Sequence, residues 1–396
     1  MTQSDDFPPH RSAALARLAA FVPQAGRDYA ALRNHDLPGH PHVSGLSPYI
    51  RHRLLLEDEV IAAVGAAHAR PSADKFLAEV YWRSYWKGWL ELRPGIWRGY
   101  RAGLAAALNR VQTESGLRAA VHAACRGDTG IDGFDHWARE LLATGYLHNH
   151  ARMWFASIWI FTLRLPWELG ADFFLRHLLD GDAASNTLSW RWVGGLHTPG
   201  KTYLATPDNI ARNTGGRFNP TGLATHADPL PMAPLPSPRP APQPVVWNPN
   251  LPTALILHDD DLHPDHLAQA GLAPLATALL DSAAVRSPLA VGPLPQAFVA
   301  GALADVAARH AGWLGPVQSF GPEASADTLA AWALATGAQQ VVTPHAPIGP
   351  VADRLTSLAP ALTALGLPLV QVLRPFDAAL WPHATHGFFR FREAVL

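Results

Sequence analysis

The chain has 396 residues, 48% hydrophobic and 16% charged, with a formal net charge of −1 at pH 7, so it is a globular protein with apolar material for two cores. Its single cysteine, Cys125, excludes a disulfide framework, an all-cysteine zinc site and a cysteine-ligated iron–sulfur cluster. Residues 1–220 hold 24 Lys and Arg against 20 Asp and Glu, and the remainder 7 against 12, so a polyanion is expected to prefer the N-terminal half.

The opening "MTQSDDFPPHR" has no apolar signal core, and the greasiest run, Met153 to Leu163, is too short to cross a bilayer. A cytoplasmic location with no membrane contact is the resulting expectation. From Ser47 the pattern predicts helices. "SPYIRHRLLLEDEVIAAVGAAHA" starts with a serine cap and a first-turn proline, and its apolar residues return at spacings of three and four. "ADKFLAEVYWRSYWKGWLEL", "DGFDHWARELLATGYL" and "HARMWFASIWIFTLRL" follow the same rhythm, and no alternating strand precedes residue 220. The first domain, residues 1–220, is therefore expected to be all-α.

Residues 219–252 are dense in proline, which removes backbone donors and favours extended, semi-rigid chain; a linker is expected over 221–252. Beyond it, "TALILH", "SPLAVG", "VQSFG", "QVVTP" and "PLVQVL" alternate with alanine-rich helical stretches. That alternation predicts right-handed crossovers and a doubly wound α/β domain with a parallel sheet over residues 253–396. "HDDDLHPDH", His258 to His266, reads as a solvated loop after a strand rather than a metal site, because it lacks finger or helical ligand spacing; no metal is expected. Cys125 reads as a buried small residue rather than a nucleophile.

Three stretches of the helical half occur in one order: "ATGYLHNHARMWFAS", "LPWELGADFF" and "RHLLDGDAASNTLSWRW". Taken alone, Asp180 and Asp182 would close a helix and the tryptophans would be core. Together the series resembles the photolyase and cryptochrome family, whose members carry a "TGW-MHNR-xRM" block, a tryptophan, and then "IDGDxAANNGGWQW". "GRDYAALRNHDLPGHPHVSGLSPYI" is similar to the family's tyrosine and phosphate loop, and "FLAEVYWRSYW" to its "FLRELIWREFY". "TPGKTYLATPDNIARNTGGRFNP" is nearer to a bacterial iron–sulfur subgroup, whose cluster cysteines are missing here.

The resemblance, over residues 26–220, implies FAD folded within the helical half. Tyr29, Ser44, Gly45, Leu46, Ser47, Arg83, Asn149, Arg152, Asp180, Gly181, Asp182 and Asn186 stand at cofactor-binding positions. Short hydroxyls and amides of the Ser44–Ser47 loop suit a pyrophosphate, and Arg83 adds a charge-assisted bond. Arg152 and Asp180 match an ion pair beside the isoalloxazine ring, and Asn186 faces its nitrogen 5. Trp190 and then Trp167 match a row of tryptophans passing an electron to the flavin. That row is broken at Glu114, leaving Trp137, Trp154 or Trp159 as substitutes for its exit. Glu79, Trp82, Asn149, Met153 and Trp192 match the pocket for a flipped pyrimidine dimer, with Glu79, Asn186, Trp190 and Trp167 in catalytic roles, while His150 replaces a customary arginine. The implied activity is light-driven repair of damaged DNA. The alternatives are a photoreceptor of cryptochrome type working through a protein partner, or a flavoprotein that kept only the scaffold. A folate or deazaflavin antenna is not predicted, nor is an iron–sulfur cluster.

Finally, "ALILHDDDLHPDHLAQA" and "THGFFRFREAVL" loosely resemble the start and end of the α/β domain with which family members usually begin. The expectation is a circular permutation, flavin domain first, which separate cores and surface termini allow.

Overall fold

The computed structural model describes residues 6–395; Met1 to Asp5, part of the opening segment considered above, and Leu396 lie outside. The helical half runs through α1 (Arg11–Phe21), α2 (Arg27–Leu32), α3 (Ser47–Arg51), α4 (Glu57–Ala67), α5 (Arg70–Glu91), α6 (Gly95–Thr113), α7 (Ser115–Arg126), α8 (Phe134–Thr144), α9 (Asn149–Ser157), α10 (Trp167–His177), α11 (Ala183–Val193) and α12 (Pro207–Asn213). The stretch expected as one helix from Ser47 is two, because the chain turns between α3 and α4 at Arg53, whose φ is +52°. A π-helical turn, Ile158–Thr162, continues α9.

Five strands follow: β1 (Thr253–His258), β2 (Pro274–Leu280), β3 (Val317–Phe320), β4 (Gln340–Pro344) and β5 (Leu369–Val372). They form one parallel sheet in the order β3-β2-β1-β4-β5, a doubly wound arrangement whose strand order reverses beside β1. Helices α13 (Asp265–Gln269), α14 (Pro293–Arg309), α15 (Ala326–Ala335) and α16 (Pro350–Ala364) connect the strands, and α17 (Pro375–Leu380) and α18 (Phe388–Val395) follow β5. One expected strand is displaced. "SPLAVG" is loop, with Leu289 exposed, whereas β2 is "PLATALL", whose alanines read as helix former. In a strand flanked on both sides, small residues are buried by their neighbours, and the alternation that marks half-exposed strands is lost.

Three apolar clusters hold the molecule. Aromatic residues of α5–α11 make the largest, joined by Leu380, Phe388 and Phe391 from the last two helices and by Ala384 between them. The second unites α1–α5 with one face of the sheet and α14, and the third packs α15 and α16 on the other face. The proline-rich segment lies along the helical half: Leu230 N–H donates to Gly194 O at 3.0 Å, and Arg239 N–H to Leu92 O at 2.8 Å.

"HDDDLHPDH" departs from the solvated loop expected of it. His258, Asp259, Asp260, Asp261 and His263 are all buried. Asp261 accepts two bonds from Arg374, both 2.6 Å, and one from Arg53 at 2.9 Å. Arg53 also pairs with Asp377 at 2.5 Å, and Arg51 with Asp260 at 2.5 Å. Arg51-His52-Arg53, at the turn after α3, thus clasps the three aspartates after β1. Buried aspartates require such partners, and these come from distant positions, Arg51 and Arg53 in the helical half and Arg374 after β5, where a local pattern cannot reveal them.

Candidate functional site

The Asp180–Asn186 loop forms where α10 ends at His177 and α11 begins at Ala183. Asp182 caps α11, its carboxylate accepting from Ser185 N–H at 2.7 Å, which satisfies a donor that a helix start leaves free. Asn186 lies one turn on, buried, its amide nitrogen donating to Ala171 O at 2.7 Å; one of its two amide hydrogens remains for another acceptor.

Arg152 of α9 reaches Asp180 at 3.0 Å, so the expected ion pair is present. Burial would raise the Asp180 carboxyl, but Arg152, then Ser47 and Arg83, overcome it and hold the group below the usual carboxylate range. For Asp182 burial is likewise outweighed by Lys87, Arg51 and Arg83, which bring it down to about 2. Both carboxylates are ionised at neutral pH.

Around them stand cations that sequence patterns did not single out. Lys87 Nζ is 3.9 Å and Arg51 Nε 4.0 Å from Asp182, and Arg51 also donates to Gly181 O at 3.1 Å. Lys87 lies two turns beyond Glu79 and one beyond Arg83 on α5, so a spacing of four along "EVYWRSYWK" was the available signal. Arg17 of α1 approaches the Ser44–Ser47 loop: a Cβ placed on Gly45, whose φ is +61°, would lie 2.8 Å from its guanidinium. Arg17 precedes the region of resemblance, so nothing in the sequence pointed to it. Within the loop Leu46 N–H donates to Ser44 Oγ at 3.3 Å. Helix α3 has only five residues, with proline in its first turn, so the loop rather than a helix dipole supplies its donors.

The remaining positions are spread around this cluster. Tyr29 is buried edge-on to Phe76, ring centres 5.1 Å apart, and Glu79 is ion-paired to Arg33. Asn149 is exposed at the start of α9, Met153 is half-buried, and Trp192 stacks on Tyr203 at 5.6 Å and 28°. Trp82 is covered: Phe388 of α18 lies parallel to it, 3.8 Å between ring centres and 10° between planes. Trp190 is buried against Phe155, Phe174 and Trp159, with 6.2 Å to the last. Of the substitute exits, Trp137 and Trp154 form a separate pair, 5.4 Å apart and fully buried, and Glu114 is an exposed partner of Arg110. Burial pushes the Cys125 thiol up to about 11, so it is no thiolate.

Whether these residues suit a large polar cofactor can be tested on their unmet bonding capacity. Arg83 Nη1, Lys87 Nζ and Thr187 Oγ1 are buried without a hydrogen-bond partner. An unpaired buried donor costs about 1–3 kcal/mol, and Arg83 and Lys87 beside the ionised aspartates, with Thr187 next to Asn186, fit a ligand rich in acceptors. Residues 76–230 match the model of the FAD binding domain of DNA photolyase.

Over this helical segment the chain is similar to the photolyase and cryptochrome family. It is similar to the deoxyribodipyrimidine photo-lyase of Vibrio cholerae, with 27% identity over 218 residues, 52% of this chain and 44% of that protein. Its similarity to the same enzyme of Thermus thermophilus is 34% over 220 residues, 54% of this chain and 49% of that one. A bacterial class III photolyase from Agrobacterium tumefaciens overlaps 54% of the chain and 44% of its own, with 27% identity and a TM-score of 0.46. The chain spans less than half the length of the curated photolyases it matches. Among the described residues no helix is long and apolar enough to cross a membrane, and no group of three or more His, Cys, Asp or Glu could hold a metal ion.

Proposed function

We propose that the protein holds FAD in its helical half and uses it for light-driven repair of pyrimidine dimers in DNA. The observation that carries the flavin reading is the Arg152–Asp180 pair at 3.0 Å beside the buried Asn186, with Arg83 and Lys87 left short of partners. FAD, when bound, supplies light-driven one-electron transfer. Arg152, balanced by Asp180, stabilises negative charge on the reduced ring, and the second amide hydrogen of Asn186 serves its nitrogen 5. Arg83, Lys87 and the Ser44–Ser47 loop, with Arg17 above Gly45, hold the phosphates. Glu79, Trp82, Asn149, Met153 and Trp192 would receive the dimer. The division into residues 1–220, a linker at 221–252 and 253–396, and the permuted order, belong to this reading. The test is loss of dimers from an oligonucleotide under blue light with FAD-loaded, reduced protein. Dimer loss above the dark control is expected, and persistence at the dark level rejects repair.

One observation favours the second reading, a photoreceptor acting through a protein partner. Phe388 occupies the face of Trp82 on which a base would stack. Moreover, burial lowers His150, which stands in place of the arginine, to about 4, so it brings no charge to a phosphate at neutral pH. Dimer-specific DNA binding that weakens with salt would decide for repair.

A further inference from the structure

We propose that the electron lost from the tryptophan row is drawn from Trp97 across Tyr100, so that the chain has its own exit at the N-terminal end of α6. The inference rests on the flavin reading above, and its argument is carried by helix spacing from Trp190 and Trp159 to Trp167 and by ring contacts from Trp167 outward. Trp190 and Trp159 both close on Gly170: a Cβ there would lie 2.3 Å from the first indole and 2.9 Å from the second. Gly170 is one turn along α10 from Trp167, and Trp159 Nε1 donates to the carbonyl of Pro166, the residue before Trp167, at 2.9 Å. Trp167 then meets Tyr100 at 5.7 Å between ring centres, and Tyr100 meets Trp97 at 5.3 Å. Trp97 and Tyr100 line an open cleft of about 500 Å³ between α6 and the sheet half. The row therefore runs from the interior beside Asn186 to a place that solvent reaches.

Proton chemistry separates the two outer rings. Tyr100 is buried and its hydroxyl has no hydrogen-bond partner, so no base takes a phenolic proton there and the ring only bridges. Trp97 Nε1 donates to Asp353 Oδ2 at 3.0 Å, and that carboxylate is 42% exposed. An oxidised indole is about as acidic as a carboxylic acid, and Asp353, whose Oδ2 is also held by Arg101 at 2.6 Å, relays its proton to solvent through its exposed carboxylate, leaving a neutral radical that recombines slowly. The balance is one electron throughout. Trp190 gives it to the light-excited flavin, Trp167 refills Trp190, and Trp97 refills Trp167. Trp97 passes its Nε1 proton to Asp353, and a thiol in solution returns one electron and one proton to Trp97.

The test is flash spectroscopy on full-length, FAD-loaded protein with a thiol reductant, following the tryptophan radical by absorption and spin resonance, with flavin content checked by visible absorption. Trp97→Phe and Tyr100→Leu should each shorten the radical lifetime about tenfold, equivalent to about 1.4 kcal/mol on the barrier to recombination. Tyr100→Phe, which keeps the ring, should preserve it, and Asp353→Asn should leave a protonated indole radical in place of the neutral one. If Trp97→Phe and Tyr100→Leu retain the wild-type lifetime with FAD bound, the electron leaves from Trp167 or Trp159 and the proposal is wrong while the flavin reading stands. Wild-type protein that binds no FAD overturns both.

Discussion

Two buried clusters of arginine and aspartate lie side by side in this molecule, and they are finished to different degrees. At Asp261 both carboxylate oxygens are taken, by Arg53 and twice by Arg374, all at 2.9 Å or less. At Asp182 the nearest cations stand off at 3.9 and 4.0 Å, and Lys87 and Arg83 keep donors with nothing to bind. At Asp261 the carboxylate is fully bonded, although Arg53 Nε is itself without a partner, and the cluster holds two halves of a fold together. An unsaturated one is under strain until an outside group completes it.

The contrast can be broken by mutation, and the largest effect belongs to the saturated side. Asp261→Ala leaves Arg53 and Arg374 buried around a missing charge and should cost about 3–5 kcal/mol, read as a lower midpoint in denaturant unfolding. An unchanged midpoint would mean the clasp is decoration. Phe388→Ala comes next, with a loss of about 3 kcal/mol for an emptied aromatic site and a gain in quenching of Trp82 fluorescence by solution iodide; unaltered quenching would deny that Phe388 covers the indole.

Lys87→Met sharpens the comparison because stability and binding move in opposite directions. Apo-protein stability should hold or rise by about 1 kcal/mol, since a buried ammonium that makes no hydrogen bond is replaced by an isostere while Asp182 keeps Arg51 and its bond from Ser185. FAD binding followed by flavin fluorescence should weaken about tenfold. A fall in both would place Lys87 among the structural residues.

The smallest effect is a pH dependence. His40 is opposed by burial but raised to about 9 by Asp36 and Glu140, above its unfolded value. Its contribution is therefore fully present below about pH 6.5 and is lost as pH rises through about 9. His40→Asn should cost about 1 kcal/mol at pH 6 and little at pH 10; equal loss at both pH values would show that the ring is held by packing alone.

These differences explain what the sequence made legible. The helical rhythm and the "DGD…N…W" spacing are local, so the resemblance they carry could pair Arg152 with Asp180, which the structure holds at 3.0 Å. The parallel sheet was readable at β1, β3, β4 and β5, where branched or aromatic residues concentrate, and missed at β2, where alanines carry no β signal. Contacts closing across the chain left no trace in either partner. Asp261 looks like any acidic loop residue until Arg53 and Arg374 are beside it. Phe388 looks like surface spillover in an amphipathic end, though it seals an indole more than three hundred positions away.

The return of the last two helices to α5 has a practical consequence. The sheet is fastened to the helical half at both of its ends, by the proline-rich strap along Gly194 and Leu92 and by Phe388 and Phe391 in the aromatic cluster. A protease nick near the exposed Val245 and Val246 would thus yield two pieces that stay associated through gel filtration, and separately expressed pieces cut there should reassemble when mixed.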